Sequence, residues 1–145
     1  MIAGNLALAT AAAFAGAASY ISFVEQPARL RLSHGAMLSE WQPAYKRGTA
    51  MQAPLAILGF ILGLVSWWQT GVAAWLVGSV LMVSNWPYTF LVLMPVNKRL
   101  MTTDVASASA ETGDLVGRWG DLHAGRTALG VAAVISFLVA LAITG

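Results

Sequence analysis

The sequence predicts an all-α integral membrane protein, a four-helix bundle with both termini on the same, non-cytoplasmic side of the bilayer. Three observations carry that prediction. Hydrophobic residues make up 58% of the 145 and charged residues only 10%, whereas a water-facing domain carries about a quarter charged residues. Four apolar stretches, at about 2–24, 51–68, 72–94 and 122–143, each approach the roughly 20 residues a helix needs to cross the hydrocarbon layer. Arg126 apart, every Lys and Arg falls in the two long links, 25–50 and 95–121. Such asymmetry places those links in the cytoplasm, and four spans then put both ends of the chain outside.

The first stretch contains no Lys or Arg before Arg29 and stays apolar to Val24. A cleaved leader would carry a basic start and a shorter apolar core, so this stretch reads as a retained helix about 34 Å long. The first link holds Ser39-Glu40-Trp41-Gln42, a capping-box pattern that predicts the second helix to begin there, before the membrane. Pro43 suits such a start, and Pro54 is expected to kink the span. Only Gln69-Thr70-Gly71 separates the second and third spans, so these must be antiparallel neighbours. Pro87 frees the carbonyl near Val83 and predicts a local widening beside Asn85. The run 102–112 is small, polar and expected to be mobile, and Thr112-Gly113-Asp114 marks an early start for the last helix. Gly and Ala along the spans permit close helix approach, within one chain or in a homo-oligomer. No internal repeat is visible, and the whole chain reads as one transmembrane domain.

Composition also excludes. A net charge of +2 with no basic run gives no platform for nucleic acid. The absence of cysteine removes disulfides, thiolate metal sites and cysteine nucleophiles. No P-loop or glycine-rich dinucleotide turn occurs.

The polar residues within or at the ends of the spans all fall in the half next to the charged links, and the other half is almost wholly apolar. Trp119, His123, Arg126 and Gly130 follow i, i+4, i+7, i+11 and so share one face of the fourth span. Trp41, Tyr45, Gly48 and Gln52 repeat that spacing on the second helix. Asn85, Tyr88, Thr89 and Val92 share a face of the third, and Glu25 ends the first. Groups from four helices at one depth predict a single pocket in the cytoplasmic half. Plainer readings apply elsewhere. Arg31, Lys46, Lys98 and Arg99 read as snorkelling or headgroup-binding charges, Trp67, Trp68 and Trp75 as interfacial belt residues, and His34 as a surface residue. Glu25 with Arg29 is also an ordinary helix-end pair, and Asn85 an ordinary interhelical hydrogen-bonding group.

Glu25-Gln26-Pro27-Ala28-Arg29-Leu30, Trp41-x-x-x-Tyr45-Lys46-Arg47, Pro87-Tyr88-Thr89, Pro95-x-Asn97-Lys98-x-Leu100 and Trp119-x-x-Leu122-His123-x-x-Arg126 resemble, in order, the anthrone oxygenase-like small membrane proteins. The resemblance implies a membrane-embedded oxygenase that acts on a flat hydrophobic, anthrone- or polyphenol-like substrate with molecular oxygen. Most bacterial relatives have no assigned function, and the expected location is a bacterial inner membrane. In that reading His123 is the candidate base. Arg126, Asn97 and Tyr45 are candidates to stabilise developing negative charge. Trp86, Tyr88, Trp119, Asn85, Gln52 and Glu25 line the substrate pocket. No cofactor is needed for that chemistry. Two alternatives stand beside it: a haem protein with His123 as axial ligand, and a non-enzymatic binder of a lipid- or quinone-like ligand. Cysteine-free and without a histidine pair on one helix, the chain disfavours a zinc site.

Overall fold

The computed structural model describes residues 1–145, which form four long helices and no strands. We label them α1 (Ile2–Arg29), α2 (His34–Thr70), α3 (Ala73–Thr102) and α4 (Ala110–Thr144). All four are long and apolar enough to cross a membrane, so the chain is an integral membrane protein in contact with lipid. Of 120 backbone hydrogen bonds, 108 lie within the helices, which is how a chain satisfies its peptide groups where no water is available.

The helices overrun the apolar stretches, and several boundaries differ from expectation. α1 continues past Val24 to Arg29 through a wide π turn over Ile21–Glu25. α2 begins at His34, with Ser33 in extended conformation as its N-cap. The expected capping box at Ser39 is therefore absent, because Ser39 already lies inside the helix. Gln42, its supposed partner, instead donates through Nε2 to the carbonyls of Leu100 and Thr103. α2 is helical throughout, Pro43 and Pro54 included. Gly71 ends it in the left-handed region at φ 70° and donates its N–H to the Trp67 carbonyl, a conformation that glycine adopts without steric cost.

The widening expected from Pro87 near Val83 is absent, the helix being regular from Ala73 to Tyr88; a second π turn follows instead over Thr89–Leu93, ahead of Pro95. The run 102–112 is folded into defined turns. A 3₁₀ turn at Val105–Ser107 is capped by the Asp104 carboxylate, which accepts from the Ala106 N–H. A reciprocal capping box between Ser109 and Thr112 starts α4, ahead of the expected Thr112.

Two apolar clusters make the interior. One, at the end holding the chain termini and the turn at Gly71, contains Ala7, Ala11, Phe14, Ala18, Ala56, Trp75, Met82, Ala133, Phe137 and Ala140. The other, near the charged links, contains Met37, Leu38, Trp41, Leu93, Val96, Leu100, Val116 and Trp119. Trp75 corrects the belt reading. It is completely buried, its ring 5.4 Å from that of Phe137, because Gly4 and Gly78 leave the space that these two rings fill. Trp67 and Trp68 are exposed, as a belt requires.

Candidate functional site

Between the two clusters lies a polar layer. Gln52 falls between Trp41 and Ala56 on α2, Asn85 between Met82 and Leu93 on α3, and His123 and Arg126 between Trp119 and Ala133 on α4. All four are buried. From Gln52 to the end of α2, and from Arg126 to the end of α4, about 18 residues remain, or about 27 Å of helix. Arg126 thus stands close to the hydrocarbon boundary at the charged end, where a guanidinium is tolerated far better than at the midplane.

The α4 face read from spacing is buried at every position: Trp119, His123, Arg126 and Gly130. The indole of Trp119 stacks on the His123 ring at 4.8 Å and meets Trp41 edge-on at 5.7 Å. Trp41 in turn stacks on Tyr45 at 4.9 Å, nearly parallel. Arg29 sits over the other side of this group, its guanidinium 5.5 Å from the Trp119 ring. It pairs with Glu25 and Glu40 and donates to Gln26 Oε1 at 2.8 Å. Glu25–Arg29 is therefore part of a half-buried network centred on the buried Arg29, larger than the helix-end pair that its spacing suggests.

A hydroxyl chain holds His123 from the other side. Thr127 donates to the Ala18 carbonyl at 3.2 Å, which uses its single proton. The Ser22–Thr127 and Ser22–His123 contacts run in either direction by distance alone; with the Thr127 proton on Ala18, Ser22 donates to Thr127 Oγ1 at 2.9 Å and its oxygen accepts from His123 Nδ1 at 3.2 Å. Counting donors in this way puts the proton of the neutral ring on Nδ1 and the lone pair on Nε2. Ser22 lies within the π turn of α1, and neither it nor Thr127 is singled out by the sequence reading. Thr127 was findable, four residues beyond His123. Ser22 was not, since only the π turn sets its direction.

Two clefts meet at Arg126. One, of about 140 Å³, lies between α2 and α3 and is lined by Tyr45, Thr49, Ala53, Asn85, Trp86 and Phe90 among others. The second, of about 20 Å³, is lined by Glu25, Arg29, Tyr45, Gln52, Trp119 and His123 together with Arg126. Space of the second size suits a water or dioxygen molecule, and no group of three His, Asp or Glu side chains is placed to hold a metal ion.

The clefts bring together eight of the ten residues singled out from sequence: His123, Arg126, Tyr45, Trp86, Trp119, Asn85, Gln52 and Glu25. Trp86 Nε1 donates to the Ala53 carbonyl across the larger cleft at 3.2 Å. Tyr88 lines neither cleft. Its hydroxyl donates to the Leu122 carbonyl at 2.6 Å and its ring packs on Gly125. Asn97 stands behind Trp119, its Oδ1 accepting from the indole N–H at 2.9 Å. His34 is exposed at the start of α2.

Fold and site together define a four-span membrane protein with a buried polar layer that opens to apolar clefts. A family model for anthrone oxygenase matches residues 41–136, more than half of the chain, and the protein belongs to the anthrone oxygenase family. No curated protein and no solved structure matches the chain.

Proposed function

We propose that the whole chain acts as one membrane-embedded oxygenase unit. It takes a flat hydrophobic, anthrone- or polyphenol-like substrate and molecular oxygen into the clefts at Arg126. The Lys and Arg residues of the two links support a cytoplasmic location for that half of the bundle, with the termini outside. The observation that carries the reading is His123, buried beside the small cleft with Nδ1 3.2 Å from Ser22 Oγ; a proton on Nδ1 leaves the Nε2 lone pair free. Family membership supplies the reaction class.

An anthrone is acidic at its central methylene. His123 Nε2 removes one methylene proton, and the resulting anion is delocalised onto the ring oxygen. The anion gives its electrons to dioxygen, forming a C–O bond and a peroxide. Loss of the second methylene proton with cleavage of the O–O bond leaves a carbonyl and water. One CH₂ and one O₂ become one C=O and one H₂O, with dioxygen as the only oxidant. Arg126 and Tyr45 face both clefts and stabilise the negative charge as it develops. Trp86, Asn85, Gln52 and Glu25 line the space for the substrate. Trp119 stacks on His123, and Asn97 acts through Trp119 as a positioning residue.

The test is oxygen uptake and quinone absorbance with unsubstituted anthrone, using protein purified in a mild non-ionic detergent. Turnover that is lost in His123→Ala supports the reading. Wild-type protein without turnover removes the oxygenase assignment, and full turnover in His123→Ala removes histidine as the base. A visible absorption band that shifts on reduction and disappears in His123→Ala would recast His123 as a haem ligand.

A further inference from the structure

We propose that Arg126 is the anchor of an oxyanion site. Its ligand binds already ionised, as a flat aromatic acid or phenolate that enters from the bilayer between α2 and α3. The proposal names the ligand class of the clefts described above and rests on their being a binding site, but not on any reaction taking place there.

Arg126 is only 8% exposed, yet none of the ion pairs of the chain includes it. Glu25, the one carboxylate that lines a cleft with Arg126, pairs with Arg29, as does Glu40. What Arg126 has is one hydrogen bond, from Nη2 to Gln52 Oε1 at 3.0 Å, and the face of Phe14 at 5.6 Å. Its Nε–H is buried with no partner. A guanidinium withdrawn from water without a counter-charge is costly, and an arriving oxyanion would relieve that cost.

The surrounding amides define what the ligand must present. Arginine cannot accept a hydrogen bond, so the bond to Gln52 fixes Oε1 towards Arg126 and turns Nε2 away, where it is buried and unpartnered. The side-chain amide of Asn85 donates to the Met82 carbonyl at 3.2 Å, which fixes its orientation too, and its Oδ1 is left without a donor. The layer therefore offers two unused donors, Arg126 Nε and Gln52 Nε2, and one unused acceptor, Asn85 Oδ1. An oxyanion answers Arg126 Nε and a ring hydroxyl answers Asn85 Oδ1, and both residues line the larger cleft.

The larger cleft supplies the rest of the ligand. Its walls are Tyr45, Ala53, Ala56, Trp86 and Phe90, with Arg126 among them. Phe90 is 56% and Trp86 38% exposed, so its mouth faces lipid. A planar ring slides between such walls more readily than a two-chain lipid does, and this favours an aromatic acid over a phospholipid headgroup.

The experiment compares 2-naphthoate with 2-naphthamide, its neutral counterpart of similar shape, by quenching of tryptophan fluorescence in non-ionic detergent. Wild-type protein is expected to bind the naphthoate at least about tenfold more tightly, as for a charge-assisted hydrogen bond. Arg126→Met should abolish that preference and leave naphthamide binding in place. Gln52→Leu, which keeps the charge, should reduce the preference in part. Equal binding of the two ligands by wild type, a comparison that needs no variant, overturns the oxyanion site while the apolar cleft stands. Binding of neither ligand removes the cleft as a binding site and the proposal with it. Short-chain phosphatidic acid bound in place of naphthoate would make the occupant a lipid and overturn the aromatic assignment.

Discussion

Replacing Ser22 with Ala should switch the protonated nitrogen of His123. In the wild type, Ser22 Oγ is the acceptor that keeps the proton on Nδ1, and its own proton is already given to Thr127. Without that oxygen the Nδ1–H would be buried with no partner, at a cost of about 1–3 kcal/mol. At about 1.4 kcal/mol per factor of ten, the balance between the two neutral forms moves by roughly 5- to 140-fold towards Nε2–H. The base of the proposed reaction would then carry a proton where it needs a lone pair.

Nitrogen NMR of protein labelled only at histidine reads this directly, because the chain has just two histidines. His34 is exposed and far along the sequence, and serves as the internal control. The wild type should show His123 with a protonated Nδ1 and a bare Nε2, Ser22→Ala should show the reverse, and Ser22→Thr should restore the original pattern. Anthrone turnover should fall with the same ranking. A His123 pattern that is the same in wild type and Ser22→Ala refutes the hydroxyl chain, whatever the turnover does.

Two further outcomes concern stability. Arg29→Leu strands Glu25 and Glu40. Breaking a buried pair costs about 3–5 kcal/mol, but these carboxylates are 28% and 37% exposed, and screening lowers the expected loss to about 2 kcal/mol. Adding Glu25→Gln and Glu40→Gln should return most of it in detergent unfolding, and a triple variant no more stable than Arg29→Leu would contradict this. At Gly78, Ala would place its methyl against the Phe137 ring. The expected overpacking penalty is about 1–3 kcal/mol, relieved by adding Phe137→Leu. A Gly78→Ala protein with a raised melting temperature would show that this contact is not close.

Much of this was legible in the sequence because lipid imposes strict rules. Apolar length gave four spans, and four spans gave the grouping of the two long links at one end of the bundle. The i, i+4, i+7 spacing of Trp119, His123 and Arg126 put them on a face that is buried throughout. What was not legible depended on neighbours distant in sequence. Trp75 near the end of a span has the composition of a belt residue, and only the absence of side chains at Gly4 and Gly78 admits it to the core. The helix starts were misplaced because Ser39 and Ser33 are equally competent caps. The choice fell to Ser33 because α2 reaches past the membrane to pack Met37, Leu38 and Trp41 against α3 and α4. Arg29 looked like half of a helix-end pair with Glu25, because nothing local announces that Glu40 and Trp119 enclose it.

The two π turns tie these points together. Each widens a helix beside the polar layer, over Ile21–Glu25 in α1 and over Thr89–Leu93 in α3. A π turn adds a residue to the helical repeat and so rotates everything beyond it relative to a regular helix, at a cost in hydrogen-bond geometry. In α1 the turn brings Ser22 to His123 and, past it, Gln26 and Arg29 into the interior. In α3 it places Thr89 and Phe90 on the wall of the larger cleft, then returns Leu93 and Val96 to the core. Each turn is followed two residues on by a proline, Pro27 or Pro95, whose missing N–H frees the carbonyl four residues earlier, that of Phe23 or Leu91, inside the turn. Tertiary contacts fix the chain just beyond the α1 turn, chiefly Arg29 with its carboxylates and the Gln26 amide, which donates to the Val116 carbonyl at 2.8 Å. The network that closes the charged end of the bundle thereby also sets the register that delivers Ser22 to the histidine. On this account Arg29→Leu should disturb the nitrogen pattern of His123 as well as stability, even though Arg29 makes no hydrogen bond to that ring.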